Sequence, residues 1–324
     1  MAMGCRHGLM TLVLVTALVI LVGCAAGSPA DSGSHDSKVL KVAATIFPLA
    51  DIAHQIGGER VEVVTLLPPG ASPHTFEPTP EQMRGLTAAR VFISVGPGLD
   101  DWAARLGDGG RGDRVDVAVL ETIPASALIT EQNSGEAHGE DGPEAGSDHD
   151  HHGVNPHVWL DPVLVHDHIA PAVARALTEA APENRDYFAA RLRDYQSALE
   201  ALDESFRTTV GTITDRRFVS VHAAWTYLAR RYGLEQVAVV EAFPGKEPSA
   251  KWIAGVVDTA RVAKASTVLA EPQLNTQTAR VIAAELGGRV VILDPLGGPG
   301  LPGRDSYLRL MRYNLQALAE GLLR

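Results

Sequence analysis

The sequence predicts an α/β protein built from two βα lobes that are joined by one long helix. Short β-branched runs alternate with helical patterns both before and after this helix, which is typical of parallel βαβ units. A single apolar stripe runs through residues 182–211, between the two alternating regions. The chain has 324 residues, 45% of them hydrophobic, which is enough for two cores of ordinary size.

The N-terminal segment has the features of a secretion signal and lies outside the predicted fold. Arg6 and His7 form a short basic region, and the apolar run 9–22 that follows is too short to span a bilayer comfortably. The run ends in Leu-Val-Gly-Cys, a tetrapeptide similar to the bacterial lipobox, whose cysteine is diacylated. We predict a lipoprotein signal peptide over residues 1–24, a lipid anchor at Cys24 and a flexible tether over residues 25–37. The alternative is an ordinary secretion signal with an incidental cysteine.

The N-terminal lobe is predicted over residues 38–181. Its β-branched runs predict three strands and a fourth candidate, which are Val39–Ala44, Val61–Leu67, Val91–Val95 and Val115–Val119. A helix over Pro48–Ile56 follows the first strand. Residues 130–153 break the pattern, because Glu, Asp, Gly and His dominate there and almost no apolar residue is present. Such a segment cannot bury enough surface to fold, so we predict a disordered acidic loop.

The linking helix is predicted over residues 182–211. Apolar side chains recur there at alternating four- and three-residue spacing, on one helical face: Phe188, Leu192, Tyr195, Leu199, Leu202 and Phe206. Pro182 suits a first helical turn, and no glycine follows until Gly211. A helix of about thirty residues spans roughly 45 Å, so we expect it to be a rigid bridge between the lobes.

The C-terminal lobe is predicted over residues 212–324, where the alternation of strands and helices begins again. The predicted strands are Phe218–Val221, Gln236–Val240, Thr267–Ala270 and Val290–Leu293. The predicted helices are Ala223–Tyr232, Ser249–Lys264, Thr276–Leu286 and Ser306–Leu323.

Charge and cysteine content exclude several classes of function. The 28 basic and 39 acidic residues give a formal charge of −11, which argues against a protein that binds nucleic acid. Cys5 and Cys24 are the only cysteines, so the folded part has neither disulfides nor thiolate ligands. A metal bound there must be held by nitrogen and oxygen.

Three histidines and one aspartate form a candidate metal site, namely His74, His157, His222 and Asp294. His74 follows the second strand through a Pro-Pro-Gly turn, while His222 and Asp294 directly follow the first and last strands of the second lobe. In open α/β sheets, ligands bind outside the carboxyl ends of the strands. Three imidazoles and one carboxylate make a four-coordinate shell suited to zinc. Taken alone, a histidine near a strand end is more often a structural residue, and Asp294 before Pro295 is compatible with a turn.

Several segments resemble a known family: HTFEPTP, NPHVWLDP, VHAAWTYLARRYGL, LAEPQ, and LDPLGG with SYLRLMRYNL. They are similar to segments of the zinc/manganese-binding lipoproteins that serve ABC importers, the cluster A-I extracytoplasmic solute-binding proteins. The resemblance runs from about Lys38 to the C-terminus, in family order. It implies two βα lobes joined by a rigid helix, with metal in the interlobe cleft. The ligands it implies are His74, His157, His222 and Asp294.

The resemblance also bears on the metal and on an auxiliary site. In this family a His in the third ligand position is associated with zinc and a Glu with manganese, so His222 favours Zn²⁺, with Mn²⁺ or mixed specificity as the alternative. The acidic loop resembles the loop of zinc-type members and carries His138, His149, His151 and His152. It is either a solvated linker or an auxiliary metal-gathering segment, and we expect tight binding without it.

Two carboxylates are candidates for orienting the ligands. Glu77 lies three residues after His74, and Glu271 directly follows a strand, as the ligands do. A carboxylate that accepts a hydrogen bond from a ligand imidazole fixes its tautomer. Both are equally compatible with surface or turn carboxylates.

The leading hypothesis is a monomeric, lipid-anchored zinc receptor outside the cytoplasmic membrane that passes Zn²⁺ to an ABC permease. Because the ligands must be neutral imidazoles, we expect zinc affinity to fall as the pH drops through about 6.5. A zinc hydrolase is the second class, but four ligands close the shell and no HExxH pattern is present. A surface adhesin is the third, and no residue pattern supports it.

Overall fold

Two four-stranded parallel sheets form the centres of the two lobes in the computed structural model, which describes residues 39–104, 113–130, 153–241 and 248–323. The first sheet has the order β2-β1-β3-β4, with β1 Leu40–Ala44, β2 Val61–Thr65, β3 Val91–Ser94 and β4 Val115–Ala118. The second has the order β6-β5-β7-β8, with β5 Arg217–Ser220, β6 Glu235–Val239, β7 Thr267–Ala270 and β8 Arg289–Ile292. All pairings are parallel, so the two lobes share one topology.

The helices complete the two lobes and the bridge between them. Those of the first lobe are α1 Phe47–Gly57, α2 Pro80–Ala88, α3 Asp101–Ala104, α4 Pro162–Leu164 and α5 Ala170–Ala180. A 3₁₀ turn over Pro182–Asn184 leads into the long helix, α6 Arg185–Gly211. The helices after it are α7 Thr226–Tyr232, α8 Ala250–Ala263, α9 Thr276–Glu285 and α10 Tyr307–Leu322. The predicted fold class, two βα lobes with a long helix between them, is confirmed.

The long helix is anchored by one buried face. Its buried side chains are Phe188, Tyr195, Leu199, Leu202, Phe206 and Val210. Leu192, which belongs to the predicted stripe, is only partly buried. The face packs on α1, α5 and α10, and the same apolar core continues from β1 to α10. Helix α6 therefore shares one core with elements that precede it and elements that follow it.

The helices of residues 80–88 and 162–180 are absent from the sequence prediction. Thr79 and Gln82 form a reciprocal capping box at the start of α2, a signal that the sequence contains as Thr-Pro-Glu-Gln. In the second segment, Pro171 lacks the N–H that a continuous α-helix needs. A π-helical turn over Val165–Ile169 precedes it and places Pro171 in the first turn of α5, where that N–H is not required.

Buried hydrogen bonds connect the loops of the two lobes. The Tyr307 amide, at the first turn of α10, donates to Asp51 Oδ2 of α1 at 2.8 Å. The Tyr307 hydroxyl donates to the Trp159 carbonyl at 2.8 Å, and Trp159 Nε1 donates to the Pro295 carbonyl at 2.8 Å. These groups belong to segments far apart in sequence, so they fix the loop around Trp159 against the loop that follows β8.

Several sequence predictions lie outside the described residues. They are the signal peptide, Cys24, the tether and the auxiliary histidines His138, His149, His151 and His152. Thr130 and Val154, on either side of 131–152, form an isolated antiparallel bridge. In the described ranges, no helix is long and apolar enough to span a bilayer.

Candidate metal centre

Three imidazoles converge at the carboxyl ends of the two sheets. His74, His157 and His222 each offer a ring nitrogen, and these nitrogens lie within 4.8 Å of one another. The ring centroids of His74 and His157 lie 4.9 and 4.6 Å from that of His222. His74 Nε2 is 3.4 Å from His157 Nε2. Within the described ranges, this is the one group of histidine and acidic side chains whose ligand atoms are close enough to share an ion.

Backbone pairing beyond β2 brings His74 to the site. Leu66 and Leu67 continue the ladder by donating to the carbonyls of Ala44 and Thr45, at 2.9 and 3.0 Å. The chain then reverses at Gly70, whose φ of 82° lies in the left-handed region that favours glycine. The Ala71 amide donates to the Pro68 carbonyl at 3.2 Å, so the predicted Pro-Pro-Gly turn lies between β2 and His74.

Asn155 sets the orientation and tautomer of His157. Asn155 Nδ2 donates to the Ala223 carbonyl at 2.7 Å, so its Oδ1 faces His157. That oxygen accepts from the His157 amide at 3.0 Å and lies 2.8 Å from His157 Nδ1. Because an amide oxygen only accepts, Nδ1 carries the proton and Nε2 keeps its lone pair for a ligand bond. The sequence prediction did not assign this role to Asn155.

Glu271 occupies the equivalent place beside His222. Its Oε1 is 3.3 Å from His222 Nδ1, at ion-pair distance, although neither atom has an aligned hydrogen bond. Both side chains are buried. A carboxylate at this position favours a proton on Nδ1 and leaves Nε2 as the lone-pair nitrogen. The prediction that Glu271 orients a ligand remains a proposal with this geometry in its favour.

The imidazoles border a very small cavity. Its volume is about 10 Å³, and its lining includes His74, His157, His222, Glu271 and Gln273. A space of this size is comparable to one water molecule, so it suits an ion and not an organic substrate. Three buried polar atoms of the lining have no hydrogen-bond partner: His222 Nδ1, Glu271 Oε1 and Gln273 Oε1. Two of them are oxygen acceptors, an arrangement that favours a cation.

The environment keeps two of the imidazoles neutral. Desolvation, with a smaller contribution from the nearby His222, lowers the pKa of His74 from 6.5 to about 3. Burial is also the main reason that the pKa of His157 lies well below 6.5, with His222 and His74 adding to it. Neutral imidazole is the form that binds a metal, so these two side chains are in their binding form at neutral pH.

Asp294 lies next to this cluster but is not one of its members. Its Oδ1 accepts from Gln273 Nε2 at 2.8 Å and from the amides of Leu296 and Gly297 at 3.0 Å each. Its Oδ2 accepts from Arg304 at 2.9 Å. The structure therefore brings the three predicted histidines together and engages the predicted aspartate with four other donors. The ligand role of Asp294 remains a proposal.

Asn314 of α10 positions the backbone of Asp294. The buried Asn314 side chain accepts from the Asp294 amide at 2.8 Å and donates to the Asp294 carbonyl at 2.7 Å. This two-point contact fixes the turn after β8. The sequence analysis included this asparagine only as part of the segment SYLRLMRYNL, without a role.

Glu77 has no place in the cluster. Its side chain is exposed, and it is not part of the cavity lining. Among the described residues, no contact between Glu77 and His74 supports the proposal that Glu77 orients this ring.

Comparisons with known proteins point to one family. The family model described as ZnuA, zinc-uptake complex component A, periplasmic, matches residues 42–321. The Bacillus subtilis high-affinity zinc uptake system protein ZnuA is 30% identical over 96% of this chain and 97% of its own length. The manganese-binding lipoprotein MntA of Halalkalibacterium halodurans is 27% identical over the same shares. A solved ZnuA deletion mutant with zinc bound is 26% identical, with a TM-score of 0.72 over 88% of this chain and 99% of its own.

Proposed function

This chain belongs to the ZnuA family of periplasmic zinc-uptake components, and we propose that it captures Zn²⁺ outside the cytoplasmic membrane for import by an ABC permease. Proteins of this family are metal-binding, solute-binding components of ABC importers and not enzymes, as the resemblance of the sequence segments implied. The finer points, which are the metal, its ligands and the membrane anchor, are proposals.

The convergence of three imidazole nitrogens within 4.8 Å carries the choice of zinc. Imidazole suits zinc, whereas manganese prefers carboxylate, carbonyl and water oxygen. We propose His74, His157 and His222 as the nitrogen ligands and Asp294 as the oxygen ligand. Glu271 is proposed as the residue that orients His222, and Asn155 as the one that orients His157.

Manganese is the alternative cargo, and two observations favour it. One relative that matches almost the whole chain is named a manganese-binding lipoprotein. In addition, two oxygens without a hydrogen bond, Glu271 Oε1 and Gln273 Oε1, belong to residues of the cavity lining. A site with one more oxygen ligand would shift the preference towards a harder cation.

The test is a competition between the two metals. The metal-stripped chain from residue 25 onward is mixed with equimolar zinc and manganese at neutral pH, freed of excess metal and analysed by elemental mass spectrometry. About one zinc per chain with little manganese supports the proposal, and His157→Ala serves as the site-deficient control. Retention of manganese instead would transfer the function to manganese uptake. Retention of neither metal would overturn the site itself.

The membrane anchor rests on the segment that ends at Cys24. We propose that this cysteine becomes a lipidated N-terminus that holds a monomeric receptor near its permease. Expression of wild type and of Cys24→Ser in a bacterial host, followed by membrane fractionation, tests this directly. Wild type should sediment with membranes and the variant should not, whereas equal sedimentation of both would contradict the anchor.

A further inference from the structure

The Asp294 carboxylate accepts four hydrogen bonds from the protein. Oδ1 accepts three N–H donors, from the Gln273 side chain and two successive backbone amides. Oδ2 accepts from the Arg304 guanidinium at 2.9 Å. The Asp294 side chain is only 1% exposed and that of Arg304 22%. A cation that bound Oδ2 would meet the positively charged guanidinium on the same oxygen.

The loop after β8 is shaped to hold Arg304 in this position. The Gly298 amide donates to the Arg304 carbonyl at 3.1 Å, which folds the loop back on itself. A side chain at Gly297 would place its Cβ 2.5 Å from that carbonyl oxygen, so only glycine fits the close approach. The Arg304 guanidinium carbon lies 5.0 Å from the centre of the Tyr313 ring, within cation–π range. Arg304 is therefore held by its backbone, by the ring and by Asp294.

Two consequences follow for a divalent cation at the three-histidine cluster. The cation and the guanidinium compete for one carboxylate oxygen, and their like charges repel each other. The apparent affinity of a site falls in proportion to the fraction of molecules in which it is free to bind. The arginine–aspartate pair thus weakens the oxygen side of the site and leaves the nitrogen side unchanged.

We infer that Arg304 is a built-in competitor of the cargo ion for Asp294, so that the ion is held first by three imidazoles and gains the carboxylate only when Arg304 leaves it. This inference rests on the proposed function, because it assumes a cation at the imidazole cluster. Arg304 acts as a specificity-determining residue. It limits affinity for every dication, and it disfavours most those that depend on oxygen ligands. It also provides a route for release, since return of Arg304 to Asp294 removes one ligand from the ion.

A double-mutant cycle tests the competition. The variants are Arg304→Gln, Asp294→Asn and the double variant, in the chain from residue 25 onward, which contains the whole described fold. Zinc and manganese affinities are measured by competition with a chromophoric chelator. We expect Arg304→Gln to bind zinc about tenfold more tightly than wild type, and to gain more for manganese. The gain should vanish in the Asp294→Asn background, because no carboxylate is left to release.

The matched control is Arg309→Gln. Arg309 pairs with Asp305 at 3.0 Å on the exposed start of α10, so this variant removes one arginine–aspartate pair away from the cavity. Its zinc affinity should equal that of wild type. If Arg304→Gln binds zinc no more tightly than this control, the competition is wrong, although tight binding by wild type would leave the proposed function standing. If the wild type retains neither metal, the proposed function is overturned. The inference about Arg304 then falls as well, because no ion competes with it for Asp294.

A second measurement does not depend on the folding of a variant. In a crystal structure of wild type with zinc bound, Asp294 Oδ2 should lie about 2.0–2.2 Å from the ion. Arg304 should then be beyond hydrogen-bond distance of that oxygen. An Arg304–Asp294 contact that persists near 2.9 Å with zinc bound would overturn the inference.

Discussion

The nitrogen side and the carboxylate side of this site are prepared in opposite ways. Asn155 and Glu271 each lie beside one nitrogen of an imidazole in the cluster, at 2.8 and 3.3 Å, and leave the other nitrogen available. Asp294, in contrast, has four protein donors on its two oxygens. Neighbouring side chains thus leave a nitrogen of His157 and of His222 free to bind, whereas they hydrogen-bond both oxygens of Asp294. Capture and completion of the metal shell become separable steps.

Removal of an imidazole should have the largest effect. His157→Ala removes a buried nitrogen from the cluster. Mutation of a residue that only hydrogen-bonds a ligand lowers metal affinity by up to roughly 100-fold, so this variant should lose more than that. Chelator competition measures the change. The control is His54→Ala, because His54 is exposed on α1 and should be silent. Equal affinities of the two variants would contradict the assignment of His157.

Removal of the group behind an imidazole should have the next largest effect. Asn155→Ala frees the His157 ring to change tautomer and should weaken zinc binding roughly 10–100-fold. Asn155→Asp keeps an acceptor oxygen beside Nδ1 and should restore most of the affinity. The same chelator titration compares both variants with wild type. If the aspartate variant is as weak as the alanine variant, the contact does not act through the tautomer.

Removal of the carboxylate should have a smaller effect than either. Asp294→Asn should lower zinc affinity about tenfold or less, because the wild-type ion gains Asp294 only after displacing Arg304. Calorimetric titration of the variant beside His157→Ala gives the contrast directly. If Asp294→Asn lowers zinc affinity as much as His157→Ala does, the carboxylate is as available to the ion as the imidazoles are.

Two imidazoles of the cluster should stay neutral over a pH range in which free imidazoles titrate. With the His74 pKa lowered to about 3 and that of His157 lowered well below 6.5, both rings remain neutral in the folded chain at the pH where free imidazoles titrate. We therefore expect these two rings to weaken zinc binding only at a pH well below 6.5, lower than the sequence alone suggested. Chelator competition at stepped pH checks this, and a steep loss around pH 6.5 would contradict the buried environment.

The same shifts give the direction of the stability change. The unfolded chain, with histidines near the ordinary pKa of 6.5, binds more protons below that pH than the folded chain does. The free energy of unfolding therefore decreases as the pH falls from about 6.5 towards 3, and these two histidines contribute no such loss above 6.5. Denaturant unfolding at several pH values measures it.

Deletion of the acidic loop should have the smallest effect. Removal of residues 131–152 leaves every side chain of the cluster in place, and Thr130 and Val154 already pair across the gap. Zinc affinity should remain within about threefold of wild type, well below the smallest change expected from a residue beside the ligands. Loss of tight zinc binding after the deletion would indicate that the loop supplies ligands of the tight site.

Much of the fold was predictable because its signals are local. Each strand overlaps a run of β-branched residues in the sequence. The buried face of α6 largely coincides with one apolar stripe at helical spacing. Helices α4 and α5 were missed because Pro171 interrupts the pattern, and the π-helical turn that accommodates it has no clear sequence signature. Helix α2 could have been found from its capping box.

The site was predictable as a set of residues but not as a set of contacts. The positions of His74 and His222 after strands, together with the motif resemblance that added His157, predicted the three histidines that meet in the structure. The partners of Asp294 come from three separate segments, at Gln273, Arg304 and Asn314. No local pattern joins these positions, since their meeting depends on how α10 and the loop after β8 pack together.

Trp159 gives the protein an internal optical reporter. Its indole is fully buried, its ring centroid lies 5.2 Å from that of His157, and its N–H is bonded to the carbonyl of Pro295, next to Asp294. Excited-state emission of an indole responds to nearby charge and to the polarity of its N–H partner. The intrinsic fluorescence of this side chain should thus register arrival of the ion at His157 and any movement of the turn at Asp294. Binding of one ion should then be observable in the unlabelled protein.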